Sequence, residues 1–213
     1  MSLRINEIFL SIQGESTFAG SLCAFVRTTG CLLRCVWCDT QYAYESGEDM
    51  RLEKIVEKVV SFNVPFVAIT GGEPLIQKDT LSLISRLRDL GLIVLLETSG
   101  ACDISPVDKR AHIVMDIKCP SSGQADKMLF SNIAHLEEKD EVKFVLASRE
   151  DYSYAKKIIA EYELGSRCPV LLSAAVPLLD PTLIAKWIIA DRLPVKLQLQ
   201  LHKYIWPDRE RGV

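Results

Sequence analysis

Three cysteines crowd the stretch GCLLRCVWCDT (30–40): Cys31, Cys35 and Cys38, followed at once by Asp39 and Thr40. Three thiolates can hold one inorganic centre and leave a coordination position open. Catalytic metal sites keep such an opening, whereas structural zinc closes its shell with four ligands. Further polar groups sit at the ends of apolar runs. ITGGEPL (69–75) joins Gly71 and Gly72 to Glu73; the glycines permit close backbone approach, and the carboxylate can accept from an ammonium. ETSG (97–100) supplies Ser99, and MDIK (115–118) supplies Asp116 and Lys118. Taken alone, GGEP reads as a turn and Asp116 with Lys118 as an ion pair on a rim.

The remaining thiols, Cys23, Cys102, Cys119 and Cys168, are scattered, and they are expected to be small buried hydrophobes. In a reducing compartment the cluster reads as metal-binding rather than as a disulfide framework. Three thiolates can hold a 4Fe–4S cluster, although four are commoner in electron carriers. Zinc stays open if the fold delivers His112, His135 or His202 as a fourth ligand. A redox pair of Cys35 and Cys38 leaves Cys31 without a role.

These residues must be positioned by elements that the pattern reveals. The chain has 213 residues, a net charge of -3 and 48% apolar side chains, enough for a core in one domain spanning 1–213. It lacks the basic surplus of a nucleic-acid binder. The N-terminus shows no signal-peptide pattern and no window offers 18 apolar residues, so a cytoplasmic protein without a membrane segment is expected. Short Val/Ile/Leu-rich runs occur at 23–29, 64–70, 92–98, 112–118, 141–147, 169–175 and 195–201. Several barely alternate, as strands buried on both faces do. Helical stripes lie between most of them: Leu52, Ile55, Val56, Val59 and Val60, then Leu83, Ile84 and Leu87 with Asp79 as cap and Gly91 as stop. Two more occupy 151–164 and 180–192, the latter capped by Asp180 with Pro181 first. The alternation predicts an α/β fold of right-handed βαβ units. A complete (β/α)₈ barrel takes about 250 residues, so an incomplete (β/α)6-type partial TIM barrel with an N-terminal strand extension is expected. The cysteine loop then follows the first barrel strand, on the face where such folds do chemistry.

CxxxCxxC with Trp37 before the last cysteine resembles the signature of radical S-adenosylmethionine enzymes, and GGEP resembles a second motif of that superfamily. The opening EIFLSIQGESTFAG, the strand FVRTTGC, CDT after the last cluster cysteine and the ending LQLQLHKYIWPDRERGV resemble the 7-carboxy-7-deazaguanine synthases. The likeness runs from about residue 4 to the C-terminus. Some members carry a long insertion between the first two cluster cysteines; this chain has the compact spacing.

The resemblance implies a 4Fe–4S cluster on Cys31, Cys35 and Cys38 whose open iron chelates S-adenosylmethionine and cleaves it to a 5′-deoxyadenosyl radical. It implies cofactor contacts from Trp37, Cys38, Asp39, Gly72, Glu73, Ser99, Asp116 and Lys118. The reaction it implies converts 6-carboxy-5,6,7,8-tetrahydropterin to 7-carboxy-7-deazaguanine with loss of ammonia, toward the deazapurine core of queuosine. Ile12, Gln13, Gly14 and Glu15 would read the pterin edge. Arg27 would take the carboxylate, a task suited to a bidentate cation. Thr70, His202 and the carboxylate of Val213 would complete the pocket, with Arg27, Thr70 and His202 placed closest to the chemistry. Thr40 would bind Mg²⁺, a hard ion that favours oxygen. A small-molecule substrate, an external one-electron reductant such as flavodoxin or ferredoxin, and a homodimer are implied as well. Rival readings are an activating enzyme that makes a glycyl radical on a partner protein, and a non-enzymatic iron–sulfur or zinc module.

Overall fold

The computed structural model describes residues 1–213. Its strands are β1 (Ser2–Ile12), β2 (Leu22–Thr28), β3 (Glu48–Arg51), β4 (Phe66–Gly71), β5 (Ile93–Thr98), β6 (His112–Asp116), β7 (Glu141–Leu146), β8 (Val170–Ala174) and β9 (Lys196–Gln198). They form one sheet in the order β3-β1-β2-β4-β5-β6-β7-β8-β9. From β2 to β9 all neighbours are parallel, while β1 runs antiparallel to β2 and β3. The sheet stays open, with β3 and β9 as its edges. This is the expected partial barrel of six full strands with an N-terminal extension. The last apolar run, 195–201, departs from expectation: only Lys196–Gln198 is strand, and Leu201–Ile205 turns into a short helix (α6).

Four longer helices cover the convex face: α1 (Leu52–Ser61), α2 (Asp79–Asp89), α3 (Arg149–Glu161) and α5 (Pro181–Asp191), with the single turn α4 (Leu164–Arg167) after α3. In α1 the stripe Leu52, Ile55 and Val59 is buried, but Val60 is 50% exposed and lies outside it. Leu83, Ile84 and Leu87 of α2 are buried. That helix ends as expected: Gly91 has φ +82°, its N–H reaches Arg88 O, and Leu92 N–H reaches Leu87 O. Asp79 does not cap α2. It lies inside the first turn, and its carboxylate accepts from Ser2 N–H at 2.8 Å, fastening β1 to the helix. Asp180 does cap α5, accepting from Thr182 N–H at 2.8 Å ahead of Pro181. The crossovers at 99–111 and 117–140 contain no α-helix, only short 3₁₀ turns in the second.

Side chains alternate across each strand. One face joins the main core beneath the helices. On the concave face Cys23, Phe25, Phe66, Ala68, Leu95 and Val114 form a second apolar cluster, and the next lumen position on each strand is polar. The loop 13–21 dips into this lumen. Phe18 packs on Phe66 at 4.8 Å and edge-on to His112 at 5.1 Å. Thr17 donates its N–H and its hydroxyl to Glu141 on β7, and Gln198 Nε2 reaches Ser16 O at 3.1 Å. A chain segment thus fills the gap that a closed barrel would not have. Cys23, Cys119 and Cys168 are buried as expected, but Cys102 is only half-buried. No helix is long and apolar enough to cross a membrane.

Candidate active site

The C-terminal ends of the parallel strands open into a cavity of about 880 Å³. Cys31, Cys35 and Cys38 line it with Trp37, Asp39 and Thr40. The loop that carries them is set by its neighbours: Gly30 N–H bonds Ala43 O, Val36 N–H bonds Ser122 O, and Glu73 N–H bonds Gly30 O at 2.7 Å. Gly72 is packed so closely on this loop that a Cβ would lie 1.9 Å from Gly30 O. At Gly71 (φ +132°) a Cβ would lie 2.3 Å from Thr28 O. The two glycines therefore bring the end of β4 against the cysteine loop, and Gly71 and Gly72 also line the cavity.

Glu73 takes a position that the sequence does not foretell. Its side chain is fully buried behind the wall. Oε1 accepts from Thr98 Oγ1 (2.9 Å) and Leu75 N–H (3.1 Å), and Oε2 accepts from Ser99 N–H (2.7 Å) and Ser99 Oγ (2.5 Å). The carboxylate expected to meet an ammonium instead bolts β4 to the end of β5 and orients Ser99, which does face the cavity. With two protein donors on each oxygen, the acceptor sites of the Glu73 carboxylate are filled and none is left for a ligand.

Arg27, at the end of β2, is 11% exposed and so is no surface cation; Glu7 Oε1 holds its Nε at 2.8 Å. Phe9 and Tyr42 flank the guanidinium at 5.7 and 5.8 Å. Glu7 also receives Tyr42 OH at 3.1 Å and Gly212 N–H at 3.2 Å, which draws the C-terminal tail and Val213 to the cavity. Gln13 is buried and donates to Glu97 Oε1 at 3.1 Å, and Thr70 donates to Glu97 Oε2 at 2.8 Å. His202 packs on Gly14, where a Cβ would meet its Nδ1 at 2.5 Å. Ile12, Gly14 and Glu15 complete this side. Every expected site residue except Glu73 lines the one cavity.

The cavity also carries buried charge. Asp116 and Lys118 do form an ion pair, at 2.8 Å, yet both face the cavity. Lys143, on β7, joins Asp116 at 3.3 Å and contacts Glu15. Burial alone would raise both acids; the lysines outweigh it and hold Glu15 and Asp116 below the usual carboxylate range. Lys143 is pushed well above the usual lysine value by Glu15, Asp116 and Glu97 despite its burial. Glu97, Lys143 and Gln200, whose Nε2 bonds Glu15 at 2.6 Å, escaped sequence reasoning. Two charged residues in lumen phase, Glu141 and Lys143, in a strand otherwise made of Val, Phe and Leu were the available signal for Lys143.

The donor set suits the implied groups. No three His, Cys, Asp or Glu side chains converge on a single point as ligands of one ion would, whereas a cluster takes each thiolate on a different iron. Burial pushes the Cys31 and Cys35 thiols up, and Lys118 works against this, so iron must displace protons on binding. Asp116 Oδ1 is buried without a hydrogen-bond partner, an acceptor fit for a ligand hydroxyl. At the mouth, Thr40 donates to Asp39 at 3.0 Å, and Asp39 meets Lys203 at 3.1 Å.

Comparison with known proteins agrees. The family model described as the radical SAM superfamily matches residues 25–116. The chain is 47% identical to the 7-carboxy-7-deazaguanine synthase of Chlorobaculum tepidum, covering 99% of this chain and 97% of that one. It is 36% identical to that of Koribacter versatilis, over 99% and 100%. Among solved structures, QueE from Escherichia coli superposes with a TM-score of 0.78 at 23% identity, covering 94% of each chain; at that identity it supports the fold alone. With near-complete coverage at 47% identity and the motifs in one cavity, the chain belongs to the 7-carboxy-7-deazaguanine synthase family of radical SAM enzymes.

Proposed function

We propose that the protein converts 6-carboxy-5,6,7,8-tetrahydropterin to 7-carboxy-7-deazaguanine with loss of ammonia, in 7-deazapurine biosynthesis. The observation that carries this reading is one cavity lined by three cysteines together with Gln13, Glu15 and an Arg27 whose side chain is only 11% exposed. The bound cluster and S-adenosylmethionine supply a carbon-centred radical able to take a hydrogen atom from C6 of the pterin. The protein's part is positional. Arg27, steadied through Nε by Glu7, keeps its remaining N–H groups for the substrate carboxylate. Gln13 and Gln200 offer amide groups and Glu15 a carboxylate acceptor to the pterin edge, and Thr70 and His202 bound the reacting ring.

On the cofactor side, Gly72 offers backbone, Ser99 a hydroxyl and Asp116 a free acceptor, with Trp37, Cys38, Asp39 and Lys118 around them. Glu73 acts through Ser99 rather than by touching the cofactor. Thr40 binds Mg²⁺ together with substrate oxygens, since one hydroxyl alone is a poor magnesium ligand. An external one-electron donor such as flavodoxin or ferredoxin reduces the cluster, and the enzyme works in the cytoplasm as a homodimer. The test is anaerobic reconstitution followed by turnover of the carboxylated pterin. Product and ammonia should appear only with S-adenosylmethionine and a reductant; no product under these conditions would reject the assignment.

A further inference from the structure

Lys143 stands on the lumen face of β7 with its side chain 11% exposed, among carboxylates from three other segments. Nζ contacts Glu15 Oε2 in the loop after β1 and lies 3.3 Å from Asp116 Oδ2 at the end of β6, while Glu97 of β5 acts on it through space. A buried cation is costly unless paired, and so is each buried acid. The two pairings are unequal. Asp116 Oδ2 also has Lys118 Nζ, nearer at 2.8 Å. Glu15 forms its ion pair with Lys143, and its other oxygen takes Gln200 Nε2 at 2.6 Å. Removing Lys143 therefore strips Glu15 of its ion-pair partner but leaves Asp116 the closer of two.

We propose that Lys143 is a positioning residue that determines pterin recognition: its ion pair fixes the Glu15 carboxylate toward the substrate, and it reaches the cofactor side only weakly, through Asp116. The proposal rests on the reading of Glu15 as a substrate-reading group. An ionised carboxylate is acceptor-only, whereas a protonated one presents a donor. Reading the N–H groups of an aminopyrimidinone edge needs the former. Lys118 has the complementary role for Asp116, so the two lysines divide the cavity between its two ligands.

The test uses reconstituted enzyme, wild type and four variants: Lys143→Met, Lys118→Met, Glu15→Gln and the double Glu15→Gln/Lys143→Met. Dissociation constants for the carboxylated tetrahydropterin and for S-adenosylmethionine are measured separately by anaerobic equilibrium dialysis, beside kcat and KM. Lys143→Met should weaken pterin binding about 30-fold or more, as loss of one partner of a buried charge pair does. It should change S-adenosylmethionine binding only a few-fold and raise KM more than it lowers kcat. Lys118→Met should show the reverse order of effects. The double variant removes both charges and should bind pterin no worse than Glu15→Gln alone. It also decides the matter if Lys143→Met fails to fold around an unpaired Glu15. Equal weakening of both ligands by Lys143→Met, unchanged pterin affinity, or losses in the double variant that multiply would overturn the proposal. Unchanged pterin affinity in Glu15→Gln would instead remove the reading of Glu15 on which it stands.

Discussion

The cavity has two walls built at different ranges along the chain. The cysteine wall is assembled from segments with a written signature: CxxxCxxC fixes the loop, and GGEP fixes the strand end that packs on it through Gly71 and Gly72. The other part is a charge network, Glu15, Asp116, Lys118 and Lys143, which begins beside the cysteines at Lys118 and in which the contact of Lys143 with Glu15 spans 128 positions. The first wall is set by backbone packing, with no room for a Cβ at Gly71 or Gly72. The second works by balance, so the removal of one charge is felt by its partners. The contrast teaches that the motifs shared across the superfamily sit where the chain is locally determined, whereas the charge network exists only where distant segments meet.

The largest effect should come from the cysteine wall. Replacing Cys31, Cys35 or Cys38 by Ala should abolish cluster content after reconstitution, measured as iron and sulfide, while Cys23→Ala, Cys119→Ala and Cys168→Ala retain it. A normal cluster in Cys35→Ala would dissolve the distinction between the walls. Next is Glu73. With four accepted hydrogen bonds and no exposure, Glu73→Ala leaves Thr98 and Ser99 donors unsatisfied and should destabilise the fold by about 3 kcal/mol or more, read from thermal unfolding. A stable Glu73→Ala with weak S-adenosylmethionine binding would return that carboxylate to direct cofactor contact.

Arg27→Ala removes a charge-assisted anchor in a buried setting and should cost about 2–5 kcal/mol in kcat/KM for the carboxylated pterin, with S-adenosylmethionine affinity retained. Thr40→Val should lower Mg²⁺-dependent turnover about tenfold, the scale of one lost polar contact, and leave the cluster intact. Cluster loss in that variant would assign Thr40 to the cysteine wall as a structural residue.

Acid stability gives the smallest and finest test. Glu15 and Asp116 have folded-state values lowered by the lysines. Their contribution is therefore present in full above the ordinary values of 4.5 and 3.8 and lost as pH falls through the lowered ones. Glu141, at the base of the lumen, is raised by burial against its Thr17 hydrogen bonds, so protonating it on acidification relieves a cost. Lys143→Met should move the acid unfolding transition, followed by circular dichroism, to higher pH, and Glu141→Gln should not. The same transition in wild type and Lys143→Met would mean that this part of the cavity is not held by charge.

Much of this was legible in the sequence because it depends on short spacings. Strand phases, the stripes of α1 and α2, the Gly91 stop and the Asp180 cap are set by residues within a few positions of one another, and chain length alone limited the barrel to six units. The cysteine triad belongs here too, since thiols three and four residues apart stay on one short loop, and all three line the cavity. Other features were decided only by the fold. Val60 lies outside its stripe at 50% exposure, and β9 ends at Gln198, after which Leu201 N–H bonds Gly14 O and Gln200 bonds Glu15 in the loop 13–21. Glu73 faces inward because the parallel register of β4 and β5 places Thr98 and Ser99 donors beside it. Lys143 finds its partner only because loop 13–21 carries Glu15 across the lumen to meet it. Periodicity reports which face a side chain takes. It carries no record of which distant charge that face will find, because such pairing is settled when the open barrel is filled by its own N-terminal loop.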